Sequence, residues 1–182
     1  MSWLLRGAVG RWLDSALDMT TVQLRDIVTD QDRAAVLRLR RAPGQERFLG
    51  SMESHFEDAE NEPRNMPRMW SVHDREQLVG FVMISDNIED LGDDLVGPYY
   101  LWRLLIDEEF QGRGYGAATI DALVEYLRTR PNADVLWTSC GKGDGGPLPF
   151  YLDYGFTLVG DVQYDDDEPE HLLRLDLTRS GP

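Results

Sequence analysis

The residues with the clearest chemical potential form a short glycine-rich loop. Within Gln111–Gly116 (QGRGYG), three of the six residues are glycine, a density typical of backbone that passes close to a ligand or takes positive φ angles. Apolar residues then recur at helical spacing, at Ala117, Ile120, Leu123, Val124 and Leu127. Unpaired amide N–H groups at the start of a helix attract an anion, above all a phosphate. The sequence therefore predicts a phosphate-binding loop.

The elements around this loop are those of an α/β protein. An aromatic and branched-aliphatic run, Tyr99–Ile106, predicts a buried strand before the loop, and the helix after it is expected to end near Arg128. Elsewhere the patterns predict a strand at 22–28, helices at 29–41 and 47–61, a hairpin at 69–85, a strand at 134–140, a short helix at 148–154 and a final strand pair at 157–177. That order favours one mixed sheet with helices on both faces.

Two nucleotide-binding interpretations of the loop fit poorly. A triphosphate loop ends in Gly-Lys-Ser/Thr, but Gly114 is followed by Tyr115 and Gly116, which excludes it. The dinucleotide fingerprint G-x-G-x-x-G/A matches Gly112, Gly114 and Ala117. It also requires an acidic residue about 20 positions further on, at the end of the next strand, where this chain has Ser139–Gly141. The dinucleotide interpretation stays open as the weaker alternative.

A third pattern has two parts in the same order and spacing as a known family. Gln111–Gly116 meets Q/R-x-x-G-x-G/A, and Tyr151–Phe156 contains Tyr-x-x-x-Gly-Phe. Together they resemble the pyrophosphate loop and the terminal signature of the GNAT acetyltransferase superfamily, and the resemblance extends from about Val22 onward. It implies an α/β (mixed α+β) fold with a mixed, mostly antiparallel sheet of about seven strands and helices on both faces.

The resemblance implies acetyl-CoA as co-substrate. In GNAT enzymes the central strand and the following parallel strand splay apart, and the pantetheine arm lies in the gap. Backbone groups of Leu104, Leu105 and Ile106 would then pair with that arm. The loop and the helix start would hold the pyrophosphate through Gln111, Gly112, Arg113, Gly114, Tyr115, Gly116 and Ala117.

The same resemblance implies direct attack of an amine on the thioester, with Tyr151 as the proton donor to the leaving thiolate. The general base is left open. Some relatives carry a glutamate on the central strand where this sequence has Tyr100. Glu89, Asp90 and a water held by Asp107 are the candidates for that role. A covalent acetyl-cysteine route through Cys140 is the less favoured alternative to a packed free thiol.

Charge restricts the classes of partner. The chain has 33 acidic and 18 basic residues, a formal net charge of −15, and Lys142 is its one lysine. Such a surface repels nucleic acid and anionic membranes and attracts cations. The segments around the two motifs resemble small-amine and polyamine acetyltransferases, and Tyr100, Glu89 and Asp90 are the predicted contacts for a small cationic amine. Aminoglycosides, protein lysines or N-termini, and a non-enzymatic acyl-CoA-binding module are the alternatives.

The remaining expectations concern organisation. Residues 1–18 form an amphipathic extension outside the core, and 19–182 form one acetyltransferase domain. No apolar run approaches the ~20 residues of a membrane span, and the single cysteine indicates a reducing cytoplasm. His55, His73 and His171 show no metal-ligand spacing, so no metal is expected. The resemblance also allows a homodimer.

Overall fold

The computed structural model describes residues 20–89, 91, 96–163 and 168–178. The predicted extension at 1–18 lies outside these residues. The described part contains seven strands and four α-helices: β1 (Gln23–Asp26), α1 (Asp30–Val36), α2 (Met52–Asn61), β2 (Pro67–Asp74), β3 (Gln77–Asp86), β4 (Tyr99–Ile106), α3 (Tyr115–Leu127), β5 (Val135–Cys140), α4 (Leu148–Tyr154), β6 (Thr157–Val162) and β7 (Glu170–Asp176). Short 3-10 helices lie at Gln45–Arg47, Pro63–Asn65 and Glu108–Phe110.

All seven strands form one sheet, in the order β1-β2-β3-β4-β5-β7-β6. Neighbouring strands are antiparallel except for β4 and β5, which are parallel. This confirms the predicted mixed, mostly antiparallel sheet. The single parallel pair needs a crossover, which α3 supplies.

Two apolar clusters hold the helices on opposite faces of the sheet. On β3, Val82 and Ile84 pack with Ile120 and other α3 residues, whereas Phe81 and Met83 pack with α1 and α2. Side chains alternate across a strand, so the two clusters lie on opposite faces. We call these the α3 face and the α2 face. The predicted placement of helices on both faces is confirmed.

The parallel pairing at the centre of the sheet is unusually short. β4 and β5 pair only through Tyr100 with Trp137 and Leu101 with Thr138. Beyond these two pairs the strands separate, so the carboxyl-terminal half of β4 has no paired strand on this side in the described part of the chain. A gap therefore opens in the sheet between the carboxyl ends of β4 and β5.

A bulge on β4 lies at the start of this gap. Across the β3–β4 ladder, Met83 is opposite Arg103 and Ile84 is opposite Leu101, so Trp102 is an extra residue on β4. A bulge turns local peptide groups out of the regular ladder and re-aims the side chains beside it. The position of Trp102 directs these changes into the gap.

Candidate active site

The gap between β4 and β5 opens into a cavity of 620 Å³. Trp102–Ile106 of β4 form one wall, and Ser139 and Cys140 at the end of β5 form the other. The first residues of α3 line one end, and Phe150 and Tyr151 of α4 lie beside them. We call this cavity the cleft. Its volume is within the range of small-molecule and cofactor sites.

The cleft brings together nearly all of the residues predicted to bind the donor. Leu104, Leu105, Ile106, Gln111, Gly112, Gly114, Tyr115, Gly116 and Ala117 line it. Arg113 does not: its guanidinium lies over the Phe110 ring, 5.5 Å from the centroid. The backbone carbonyl of Arg113 accepts a hydrogen bond of 3.0 Å from Thr20 Oγ1, which steadies the loop from outside. Arg113 therefore braces the loop in this structure.

The start of α3 is built to receive an anion. Gly114 caps the helix with a φ of 83° and Gly112 has a φ of 73°, a conformation that glycine adopts without steric cost. The first turn of α3 contains no acidic residue. The amides of a first helical turn have no partner within the helix. Gln111 fixes the approach to this turn, because its Nε2 donates to the carbonyl of Ile106 at 2.8 Å.

Tyr151 lies at the other side of the cleft in a largely apolar setting. Its side chain is 7% exposed, and its ring contacts Phe150 and Phe156 at centroid distances of 5.2 and 5.3 Å. Burial raises the pKa of Tyr151 to about 12, although a hydrogen bond with Thr138 opposes that shift. The phenol is therefore protonated throughout the physiological range and can donate a proton.

The second sequence motif has a plain structural cause. Gly155 ends α4 with a φ of 119°, and its amide donates to the carbonyls of Leu152 and Tyr151. The amide of Phe156 also donates to the carbonyl of Tyr151, at 2.9 Å. These bonds stop the helix one turn after Tyr151 and bring the Phe156 ring against it. The motif thus fixes the position of the tyrosine.

The structure does not bring the predicted acceptor contacts to the cleft. Glu89 lies on the loop before β4, at the end of that strand remote from the cleft. Tyr100 is 9% exposed and lies within the sheet, opposite Ser85 and Trp137. Asp107 is 6% exposed, and its carboxylate accepts from the amides of Arg40 and Glu109. Asp90 lies outside the described residues.

Two charged residues of the cleft were missed by the sequence reasoning. Glu170, the first residue of β7, lines the cleft and accepts a hydrogen bond from Ser139 Oγ. Arg103 of β4 also lines it, but its guanidinium binds Asp58 Oδ2 at 3.1 Å and His55 Nδ1 at 3.1 Å. Neither residue belongs to a local motif. Only the pairing of β5 with β7 could have indicated Glu170.

Cys140 is a packed thiol. It is 5% exposed, and burial together with the negative charge of Glu170 raises its pKa to about 11. A nucleophilic cysteine requires a lowered pKa, so this environment does not favour the covalent route. Among the described residues, no group of His, Cys, Asp and Glu side chains could hold a metal ion. No helix among those residues is long and apolar enough to cross a membrane.

Comparison with known proteins agrees with this geometry. The profile of the Acetyltransferase (GNAT) family matches residues 33–156, which include β4, the loop, α3 and α4. The chain belongs to this family. It is accordingly an acetyltransferase with acetyl-CoA as its co-substrate.

This GNAT acetyltransferase has similar proteins of known activity. It is 28% identical to the spermine/spermidine N(1)-acetyltransferase of Bacillus subtilis (strain 168) over 141 residues. This alignment covers 78% of this chain and 91% of that protein. A solved aminoglycoside acetyltransferase in complex with coenzyme A has a TM-score of 0.68 at 18% identity, with 86% of this chain and 95% of that chain covered. A spermidine N-acetyltransferase chimera from Vibrio cholerae has a TM-score of 0.61 at 16% identity, with 87% and 96% covered.

The raised pKa of Cys140 predicts that its thiol is unreactive in the folded protein, and its rate of alkylation tests this. Near pH 7.5, a thiol of ordinary pKa is about one tenth ionised, and a thiol of pKa about 11 is ionised to roughly one part in 3,000. We expect iodoacetamide to alkylate Cys140 at least ~100-fold more slowly in the native protein than in urea. Mass spectrometry measures both rates. Equal rates would show that the thiol is exposed and that its pKa is not raised.

Proposed function

We propose that this enzyme transfers the acetyl group of acetyl-CoA to a primary amine of a small, polyamine-like cationic acceptor by direct attack. One observation carries the proposal. A single cleft joins the amide-lined start of α3 to the buried phenol of Tyr151 across the gap between β4 and β5. Within one cavity, the backbone amides of α3 thus suit the anionic pyrophosphate of acetyl-CoA, and the phenol of Tyr151 suits its thioester.

The donor side supports the proposal through backbone groups. The amides from Gly112 to Ala117 would hold the pyrophosphate, because a helix start offers donors and a favourable dipole whatever the side chains are. The cleft edge of β4 from Leu104 to Ile106 lies beyond its pairing with β5. Peptide groups on such an edge need partners, and the amides of a pantetheine arm can supply them as a neighbouring strand does.

The reaction needs a donor to the carbonyl oxygen and a donor to the sulfur. As the amine attacks, the thioester oxygen gains charge, which a fixed backbone amide stabilises. The bulge at Trp102 supports a β4 amide in that role. When the carbon–sulfur bond breaks, Tyr151 would protonate the leaving thiolate. Its raised pKa means that the phenol stays protonated until the carbon–sulfur bond breaks.

The acceptor is inferred from charge and from the relatives. A net charge of −15 favours a cation, and the Bacillus subtilis relative is named for spermine and spermidine. An aminoglycoside is the second candidate, because a structural neighbour is named for that class. Both classes carry several ammonium groups. We assign the enzyme to the cytoplasm on its single free cysteine, and a homodimer stays a prediction.

Release of coenzyme A across a panel of amines tests the function. We expect spermidine and spermine to raise thiol release at least about tenfold above hydrolysis, with an aminoglycoside and a lysine peptide giving weaker responses, because the Bacillus subtilis relative is named for spermine and spermidine. Product mass confirms the acetylated nitrogen. If the aminoglycoside gives the highest kcat/KM, the second candidate replaces the first. If acetyl-CoA binds but no amine accelerates release, the enzyme is not an amine acetyltransferase.

Replacing the proton donor separates catalysis from binding. Tyr151→Phe should lower kcat about 100-fold, the lower end of the usual contribution of a positioned acid. The affinity for acetyl-CoA should change less than about twofold, because the phenyl ring still fills the same apolar site. Stopped-flow turnover and calorimetric binding measure the two quantities.

Tyr154→Phe is the matched control on the same helix. The hydroxyl of Tyr154 donates to Asp121 Oδ1 at 2.7 Å, and Tyr154 does not line the cleft. This variant should keep the wild-type kcat. A Tyr151→Phe enzyme with unchanged kcat would remove the assigned role of the phenol.

A further inference from the structure

One carboxylate in the cleft has no role in the function proposed so far. Glu170 begins β7, opposite Val162 of β6, and it lines the same cavity as Tyr151 and the start of α3. Buried or half-buried carboxylates are usually neutralised by a cation. None of the ion pairs in the described part of the chain includes Glu170, although eleven other pairs occur there.

Two basic side chains, Arg103 of the cleft and Lys142 just after β5, have carboxylate partners of their own. Arg103 binds Asp58 at 3.1 Å. Lys142 Nζ lies 2.8 Å from Asp161 Oδ2. These arrangements leave the negative charge of Glu170 without a matching positive charge from the described side chains. A cationic ligand in the cleft would supply one.

The position of Glu170 in the sheet separates it from the glycine-rich loop at Gln111–Gly116, which we call the donor loop. Cys140 and Leu173 belong to the apolar cluster on the α3 face. Side chains alternate along a strand, so Ser139 and Glu170 point to the α2 face. The donor loop and α4 lie on the α3 face. Residues from both faces line the gap between β4 and β5.

Glu170 is nonetheless close to the reacting end of the cleft. Its charge contributes to the raised pKa of both Tyr151 and Cys140. Ser139 Oγ donates to Glu170 Oε2, which orients the carboxylate and leaves the other oxygen able to accept. Hydrogen bonds between ionised partners are shorter and stronger than neutral ones. An ammonium group held there would lie at the acceptor end of the gap.

We infer that Glu170 binds the ammonium group of the acceptor and takes its proton before attack. This inference rests on the proposed function, since it names a residue for the acceptor side of the same reaction. It also replaces the candidates on the loop before β4 with a carboxylate that lines the cleft.

The proton and electron balance is complete. The ammonium gives one proton to Glu170, and the lone pair of the free amine forms the new nitrogen–carbon bond. The carbon–sulfur bond breaks, the sulfur keeps its electron pair, and it takes a proton from Tyr151. The nitrogen then loses a second proton, which restores the tyrosine. Glu170 releases the first proton to solvent, so the products are an amide, coenzyme A thiol and one proton.

The test compares Glu170→Gln, Glu170→Asp and the control Glu168→Gln. Glutamine keeps the acceptor oxygen for Ser139 but loses the charge and the basic site. Glu170→Gln should lower kcat/KM for spermidine at least about 30-fold while the acetyl-CoA affinity stays within about twofold. Glu170→Asp should give an intermediate value. Glu168 is exposed and does not line the cleft, so Glu168→Gln should equal the wild type.

A second acceptor isolates the proton-transfer role from a structural one. Hydroxylamine is already neutral near pH 8, so it needs neither an ammonium site nor a base. Its rate should differ less than about threefold between wild type and Glu170→Gln. A variant damaged in its fold would lose both acceptors and the acetyl-CoA affinity.

The possible results distinguish failure of the inference about Glu170 from failure of the proposed function. If the wild type acetylates spermidine and Glu170→Gln does so equally well, the inference is overturned and the proposed function stands. An equal loss with spermidine and hydroxylamine, at unchanged acetyl-CoA affinity, also overturns it, because Glu170 would then act on a step common to both. If the wild type acetylates no amine, the proposed function fails and the inference fails with it.

Discussion

The separation of β4 from β5 after two residue pairs is the constraint on which the site depends. Full pairing would fill the edge of β4 from Trp102 to Ile106 with a neighbouring strand and leave no cavity. Because the two strands are parallel, their carboxyl ends lie at the same edge of the sheet. The crossover helix α3 therefore starts beside the open gap and brings its amides to it. Backbone geometry creates the cleft before any side chain contributes.

Local patterns in the sequence predicted the elements well. The order of strands and helices, the short helix at Leu148–Tyr154 and the extended run at Tyr99–Ile106 agree with the structure, because each depends on nearby residues. The helix predicted at 47–61 begins later, at Met52, since Ser51 caps it and its Oγ accepts from the amide of Ser54. The 3-10 turn at Gln45–Arg47 takes up part of the preceding segment.

Local sequence patterns could not predict which distant strands pair, and this pairing decides which side chains reach the cleft. The donor loop and Tyr151 belong to compact motifs, and both line the cleft. Glu89 and Tyr100 do not line the cleft, because closeness in sequence to β4 does not mean closeness to its carboxyl end. Glu170 reaches the cleft only because β7 pairs with β5 and sets Cys140 opposite His171.

The electrostatics of the cleft reconcile an acidic protein with an anionic co-substrate. Fixed dipoles at the start of α3 act over a few ångströms, whereas the net charge of −15 acts over the whole surface. Glu170 adds a local negative charge at the other side of the gap, and Asp58 offsets Arg103. In the proposed reaction, the two ends of the cleft would thus favour opposite charges. That polarity would orient an anionic thioester toward a cationic amine.

A crystal structure with coenzyme A bound measures the central claim most directly. The account predicts pyrophosphate oxygens about 3 Å from amides between Gly112 and Ala117, with the pantetheine arm between β4 and β5 and the thiol facing the hydroxyl of Tyr151. A pyrophosphate bound away from the start of α3, or a thiol that does not reach Tyr151, would contradict it.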